Sequence, residues 1–358
     1  MHHHSDLGAL AGATVLVTGG AGLIGSRITA QLRDLGAHPV ALCTMNAYPQ
    51  HVYADLFGVR AEDPDVILGD IRDTALVRKL VAESDYVIHA AACTREPLAA
   101  IDTNVAGTQN VLDAVAATDR VRRMVFVSSA SVYGDSNPEE TDSPDLLTMR
   151  QLLESVHGRI PPQFYEFTRM RPKSVYGNTK AWGEEQTALV LGQVGTSYAI
   201  VRYFSVYGEP QTIKPGSHSW VVAWFAARAH LGLPLHLNGG GRQVRDLVHV
   251  DDIAEGTLRT LAGPRAHTET VNIGTGVPTS VRKVAQLVQA HYPKTPFPET
   301  PLPAGDPLGG YAATRRMENI LGWKPEVTIT EGVARYVKWL QDTPAAAPDW
   351  VQREHTAA

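Results

Sequence analysis

Cysteine is nearly absent from this chain: Cys43 and Cys93 are the only two in 358 residues. They fit neither a CxxC pair nor a metal-ligand spacing, which argues against a disulfide framework and against a metal site. Charge is also modest, at 19% of residues with a formal net charge of −5, so there is no electrostatic reason to bind nucleic acid. No apolar run approaches the length that a bilayer requires, and Met1 to Leu10 has no apolar signal-peptide core. The expected compartment is the cytoplasm. Internal repeats and low-complexity linkers are missing, and His2 to His4 are set aside as a tag remnant or native triplet. What remains, with 44% hydrophobic residues, is an ordinary soluble composition, long enough for one large or two unequal domains.

The most informative stretch is Thr14 to Gly25, TVLVTGGAGLIG. Val15 to Val17 read as a buried parallel strand, and Ser26 to Leu35 as a helix with Ile28 and Leu32 inward and Gly36 as its stop. Gly19, Gly20 and Gly22 permit a tight turn that lets a pyrophosphate approach the backbone and the helix N-terminus, and Gly25 lets the helix lie close on the sheet. The spacing of Gly19, Gly22 and Gly25 differs from the ordinary G-x-G-x-x-G. On this stretch alone, a glycine-rich turn without a ligand stays open.

Strand and helix patterns then alternate. Val40 to Leu42, Val66 to Leu68, Tyr86 to His89, Met124 to Ser128 and Tyr198 to Tyr203 read as strands, with helical stretches at Asn104 to Ala117 and Lys180 to Leu191. This predicts an α/β fold with a doubly wound parallel sheet and ligands at the carboxyl ends of its strands. After Val206 proline and glycine rise and a smaller second domain is expected, with Pro293 to Pro307 as a surface connection.

Tyr176-Gly177-Asn178-Thr179-Lys180 places a phenol and an ammonium four residues apart on one helix face. A free tyrosine, with a pKa of ~10, is a poor base at neutral pH; an adjacent ammonium and an oxidised nicotinamide both favour the phenolate. Any helix can carry such a pair, but here it follows a serine motif, Val127-Ser128-Ser129-Ala130-Ser131-Val132-Tyr133-Gly134, at the end of the fifth strand.

With these motifs the chain resembles the extended short-chain dehydrogenase/reductase family, and within it the nucleotide-sugar epimerases and dehydratases, nearest to the UDP-glucose 4-epimerase-like enzymes. The resemblance covers about Thr14 to Leu340, through TGGAGLIG, GDIRD at Gly69 to Asp73, HAAA at His89 to Ala92 and NVAGTQN at Asn104 to Asn110. It continues through SSASVYG, YGNTK, RYFSVYG at Arg202 to Gly208, RQVRDLVHVDDIA at Arg242 to Ala254, NIGTG at Asn272 to Gly276 and LGWKPEV at Leu321 to Val327.

The resemblance implies a Rossmann-type NAD-binding domain over residues 1–205 with an insertion at about 135–173, and a smaller C-terminal mixed α/β substrate domain over 206–345. A segment at about 247–276 returns to the first domain, and 346–358 is a tail. It implies that Ser129 bonds the reacting sugar oxygen beside the catalytic Tyr176, while Lys180 binds the nicotinamide ribose and tunes the tyrosine. Gly19, Gly22, Leu23, Ile24 and Gly25 would cradle NAD; Asp70 and Ile71 would flank its adenine, Ala90 and Ala91 would line its channel, and Asn104 and Tyr203 would lie on the nicotinamide side. Substrate contacts would come from Thr94, Ser129, Ser205, Asp306 and Arg245, whose guanidinium suits a diphosphate. Asp246 and Asp251 would hold loops and cap a helix running from Asp252 onward. The expected partners are a nucleotide-diphosphate sugar and a second copy of the chain, joined through the helices near Asn104 to Ala117 and Lys180 to Leu191.

Absences sort the chemistry further. Related dehydratases carry an acidic pair after the catalytic hydroxyl residue, and decarboxylases a glutamate two residues after it; here Ala130 and Ser131 stand there, without acid–base capacity. The expectation is therefore redox-neutral 4-epimerisation through a transient 4-keto sugar. A nucleotide-4-keto-sugar reductase using NAD(P)H and a non-catalytic dinucleotide sensor are the alternatives. Four departures from the family pattern stand out: Cys43 and Thr44 where an acidic residue usually meets the adenosine ribose, Ser205 in place of an asparagine, no arginine in Leu302 to Asp306, and the insertion between Ser129 and Tyr176. That insertion predicts a helix from about Leu146 to His157, either a solvated excursion or a lid, with His157, Tyr165 and Arg169 as its candidate contacts.

Overall fold

The computed structural model describes residues 7–94, 96–134, 144–157, 160–214, 220–303, 308–343, 346–348 and 350–352. Its strands are β1 (Thr14–Thr18), β2 (His38–Cys43), β3 (Val66–Leu68), β4 (Tyr86–His89), β5 (Arg123–Ser129), β6 (Gln163–Phe164), β7 (Tyr198–Tyr203), β8 (Ser205–Tyr207), β9 (Leu237–Asn238), β10 (Val244–Arg245), β11 (Leu247–His249), β12 (Glu269–Ile273), β13 (Thr279–Ser280), β14 (Glu299–Thr300) and β15 (Tyr311–Ala312). Seven of them form one sheet in the order β12-β7-β5-β4-β1-β2-β3. Every pairing in that sheet is parallel. Val15, Leu16 and Val17 are fully buried, as a strand covered on both faces must be. The chain moves outward from β1 through β2 to β3, then returns to β4 on the other side of β1 and winds the opposite way. The crevice outside Thr18 and His89, which are paired in register, is therefore the switch point where such sheets bind ligands.

The eleven α-helices among the described residues are α1 (Leu23–Asp34), α2 (Thr74–Ala82), α3 (Pro97–Ile101), α4 (Thr108–Ala116), α5 (Pro144–His157), α6 (Val175–Val194), α7 (Val221–His230), α8 (Val250–Ala262), α9 (Val281–His291), α10 (Arg315–Leu321) and α11 (Ile329–Asp342). Helices α1 and α8 pack together on one face of the sheet, and α2, α4 and α6 on the other. A second core gathers α7, α9 and α11, and buries Ala346 and Val351 from the segment read as a tail. No helix among the described residues is long and apolar enough to cross a membrane.

The expected strands appear with small extensions, but the helix expected over Asn104 to Ala117 differs. It begins earlier, at Pro97, and is widened by a π segment over Asp102–Gly107 before continuing as α4. A Cβ on Gly107 would stand 2.5 Å from Cδ1 of Ile71, so that side chain packs directly on the glycine. The insertion helix spans Pro144–His157, close to the expected range, and leaves Met149, Leu152 and Val156 exposed. The chain beyond it is no solvated excursion: Phe164 stacks on Tyr133 at 4.7 Å, the Glu166 carbonyl accepts from Arg202 at 2.8 Å, and its carboxylate accepts from the Asn272 N–H at 2.9 Å.

Candidate active site

The glycine turn is built by close approach. Gly19 has φ +73°, and a Cβ on it would lie 2.9 Å from the Ala91 backbone; one on Gly25 would lie 2.2 Å from the Gly19 carbonyl. Neither could be alanine without moving a strand or helix. Gly22 forms the N-cap of α1 with no side chain bonded to the first turn, and that turn contains no acidic residue. Its N–H groups and the positive end of the helix dipole thus fit a pyrophosphate. His89 fixes the neighbouring strand end: its Nδ1 bonds Thr18 at 2.7 Å and its Nε2 bonds Thr108 at 2.9 Å. Complete burial pushes its pKa down to about 3, so it stays neutral.

Strand β5 delivers Ser129, and α6, capped by Ser174, delivers Tyr176 and Lys180. Ser131 Oγ donates to Ser129 Oγ at 2.7 Å, and the Ser129 hydroxyl in turn bonds Tyr176. Burial raises the Tyr176 pKa, and the Ser129 hydrogen bond only partly opposes this. Lys180 does not by itself produce the lowering expected of it: its Nζ lies 6.0 Å from the Tyr176 ring centroid and donates to the Val127 carbonyl at 2.7 Å. Burial also pushes the Lys180 ammonium down to about 8, with Glu184 pulling the other way. Glu184 belongs to a buried network that the sequence did not reveal. Its carboxylate accepts from Arg202 Nη2 at 2.6 Å and from Ser128, while Arg202 Nη1 reaches Tyr133 Oη at 3.0 Å.

Above Ser129 opens a cleft of about 550 Å³ at the carboxyl edge of the sheet. Gly19, Gly22, Leu23, Ile24, Gly25 and Ala90 line its glycine-turn side, and Tyr203, whose hydroxyl bonds Thr257 at 2.6 Å, lines its floor. Thr94, Ser205 and Arg245 line the remainder, with Arg245 Nη1 held on the Val244 carbonyl at 2.7 Å. Ala91, Tyr176 and Lys180 are not among the cleft's lining residues; the Ala91 N–H donates to Thr18 Oγ1 at 3.2 Å. Asp306 lies outside the described residues.

Other expected residues serve the framework. Asn104 is buried and clamps the loop after β4 to α6: its amide donates to the Cys93 carbonyl and to Thr179 Oγ1, each at 2.9 Å, and accepts from Cys93 N at 2.8 Å. Asp70 is held by Arg72, whose Nη2 donates at 2.7 Å, and that contact lowers its pKa; Ile71 is buried against Gly107. Helix α8 begins at Val250, capped by the His249 imidazole, so Asp251 is not the cap; it pairs instead with Arg27 of α1 and Arg335 of α11. Asp246 holds loops as expected, accepting from Thr275, Gly276 and Ala312. Tyr165 and Arg169 are not among the cleft's lining residues, and the His157 side chain lies outside the described set. Conversely Tyr48, Gln211, Lys214 and Trp220 do line the cleft, from stretches with no motif to mark them. No aspartate or glutamate lines it among the described residues.

The model of the NAD dependent epimerase/dehydratase family matches residues 15–151 and 154–274. Over 346 residues the chain is 31% identical to a putative UDP-glucose 4-epimerase of Methanocaldococcus jannaschii, covering 92% of this chain and 98% of that protein. It is 29% identical over 349 residues to a dTDP-L-rhamnose 4-epimerase of Burkholderia thailandensis, covering 92% and 95% respectively. Among solved structures, the UDP-glucose 4-epimerase of Thermus thermophilus in complex with NAD matches with a TM-score of 0.74 at 28% identity, covering 92% of this chain and 99% of that one. The family model spans most of the chain and the relatives align over nine-tenths of it: the chain belongs to the NAD dependent epimerase/dehydratase family.

Proposed function

We propose that this protein is an NAD-dependent nucleotide-sugar 4-epimerase. The observation that carries the reading is Ser129, which lines a cleft that no described carboxylate lines and bonds Tyr176, with Lys180 one helical turn beyond that tyrosine. Oxidation and reduction at one carbon need a single proton acceptor, whereas dehydration and decarboxylation draw on further acid–base groups.

The glycine turn, with the uncapped first turn of α1, would hold NAD, which when bound supplies reversible redox chemistry at the sugar carbon. Tyr176 accepts the proton of the sugar 4-hydroxyl and later returns it, while Ser129, itself oriented by Ser131, bonds the same oxygen. The transient 4-keto sugar turns over within the cleft between those two events. Lys180, whose Nζ lies 6.0 Å from the Tyr176 ring centroid, would bind the nicotinamide ribose; burial keeps Tyr176 protonated, and the positive charge of an oxidised nicotinamide would favour the phenolate. Arg245 faces the diphosphate. On the same reading the second core belongs to a substrate domain, the protein works in the cytoplasm, and two copies pair through α4 and α6.

Incubation with UDP-glucose, UDP-galactose and dTDP sugars, without added reductant, should interconvert the C4 stereoisomers of one pair, and Tyr176→Phe should abolish this while retaining NAD. In deuterated water, little solvent deuterium should enter C3 or C5. Exchange at C5 with inversion there would overturn the 4-epimerase reading, and conversion only with stoichiometric NAD(P)H would make the protein a ketoreductase.

A further inference from the structure

One wall of the cleft is used neither by the motifs nor by the chemistry above. Gln211 is 3% exposed, and its Oε1 has no hydrogen-bond partner. Its Nε2 donates to the Val206 carbonyl at 3.3 Å, which sets the orientation of the amide. A buried acceptor left without a donor is costly unless a ligand supplies one. Three residues on, Lys214 Nζ stands 3.5 Å from the centroid of the Tyr48 ring. Tyr48, Gln211 and Lys214 line the same cleft as the glycine turn.

The contact crosses that cleft. Tyr48 lies in the connection after β2 and meets Tyr53 and Phe57 edge-on, at 5.8 and 5.1 Å between ring centroids. These rings pack in one cluster with Met45 and with Ala21 of the glycine turn. Gln211 and Lys214 come from the opposite wall, on the segment leading to α7. At the end of β2, where dinucleotide-binding folds place a carboxylate on the ribose, this chain has Cys43, whose thiol bonds the backbone of Ala21 and Met45. The ribose contact missing from one wall is available from the other.

We propose that Gln211 and Lys214, with Tyr48 seating the ammonium, form a subsite for the ribose-phosphate portion of the bound dinucleotide. This rests on the NAD reading given above. Gln211 Oε1 accepts from a ribose hydroxyl, and Lys214 pairs with a phosphate oxygen. A ribose phosphate presents a donor and an anion side by side; a bare pyrophosphate lacks the donor and a free sugar lacks the anion. A nucleotide sugar carries the same chemistry, but Tyr48 packs against the end of β2 and the glycine turn, which favours the cofactor.

Calorimetric titration of the nucleotide-stripped protein with NAD, ADP-ribose and UDP tests this. Lys214→Met and Gln211→Leu should each weaken NAD and ADP-ribose about tenfold or more, as expected for losing a hydrogen bond to a ligand of this kind. Salt dependence should shrink for Lys214→Met. UDP binding should stay as in the wild type throughout. If Gln211→Leu misfolds by circular dichroism, Gln211→Asn, which withdraws the oxygen but keeps an amide, takes its place. Unchanged NAD and ADP-ribose affinities in Lys214→Met, or a loss confined to UDP, would overturn the subsite. A wild type that binds neither NAD nor ADP-ribose would overturn the cofactor reading as well, whereas binding without turnover would count against the epimerase reading alone.

Discussion

Lys180 is 3% exposed, and burial holds its ammonium at about 8, down from 10.5. Between those two values the unfolded chain keeps a proton that the folded chain has released, so this residue's contribution to stability rises with pH across that window. Below about pH 8 the side chain is charged in both states, and the burial penalty is fully present. Lys180→Met should therefore stabilise the fold at pH 7 by on the order of 1–3 kcal/mol, less what the Val127 carbonyl loses with its donor. The gain should fade toward pH 10.5, and turnover should fall about a hundredfold or more on the proposed reading, in which Lys180 positions the nicotinamide ribose. Denaturant unfolding at pH 7 and pH 10 beside a rate assay separates these effects. Loss of stability at pH 7 would mean that the bond to Val127 outweighs desolvation.

Helix α6 carries more than the proposed catalytic pair. One turn beyond Lys180, Glu184 binds Arg202 of β7 with both partners 5% exposed or less, and Arg202 reaches on to Tyr133 and the Glu166 carbonyl of the insertion. The whole element is thus pinned to the sheet by one ion pair in a dry setting, where removing a single partner strands the other. Glu184→Gln should destabilise by about 3–5 kcal/mol, visible as an earlier denaturant midpoint with an unchanged slope. Because Glu184 raises the Lys180 pKa, the same change should move any lysine-linked step in the pH profile to lower pH. A stability within about 0.5 kcal/mol of wild type would show that the network is not a strut of this fold.

For the whole molecule, exposed apolar side chains on α3 and α6 matter most. Leu98 is 80% exposed, Ile101 48% and Leu189 56%, on helices that pack beside each other. Burying such residues in a self-complementary interface would remove apolar area from water on both copies. On the proposed pairing of two copies through α6 and the helical run that leads from α3 into α4, the double change Leu98→Asp with Leu189→Asp should halve the mass seen by light scattering without altering the far-ultraviolet circular dichroism. A wild-type monomer, or a double variant that stays dimeric, would remove this face as the interface.

Local order along the chain was enough to make some features legible from residues alone. The strand–glycine–helix grammar of Thr14 to Gly25 and the helical pair Tyr176 and Lys180 depend on contacts within a few residues, where steric limits and helix periodicity act directly. The serine motif placed Ser129 at the end of β5 for the same reason. Other features depended on which distant segments meet. Asn104, within a π segment, bonds Cys93 and Thr179; Glu184 of α6 pairs with Arg202 of β7; the β2 connection brings Tyr48 to Lys214. Side-chain contacts between remote segments follow from packing, which leaves no periodic trace in sequence. The sequence alone therefore determined the elements and the proposed reacting groups, while the tertiary structure decided which buried partners hold those groups and which remote side chains share the cleft with them.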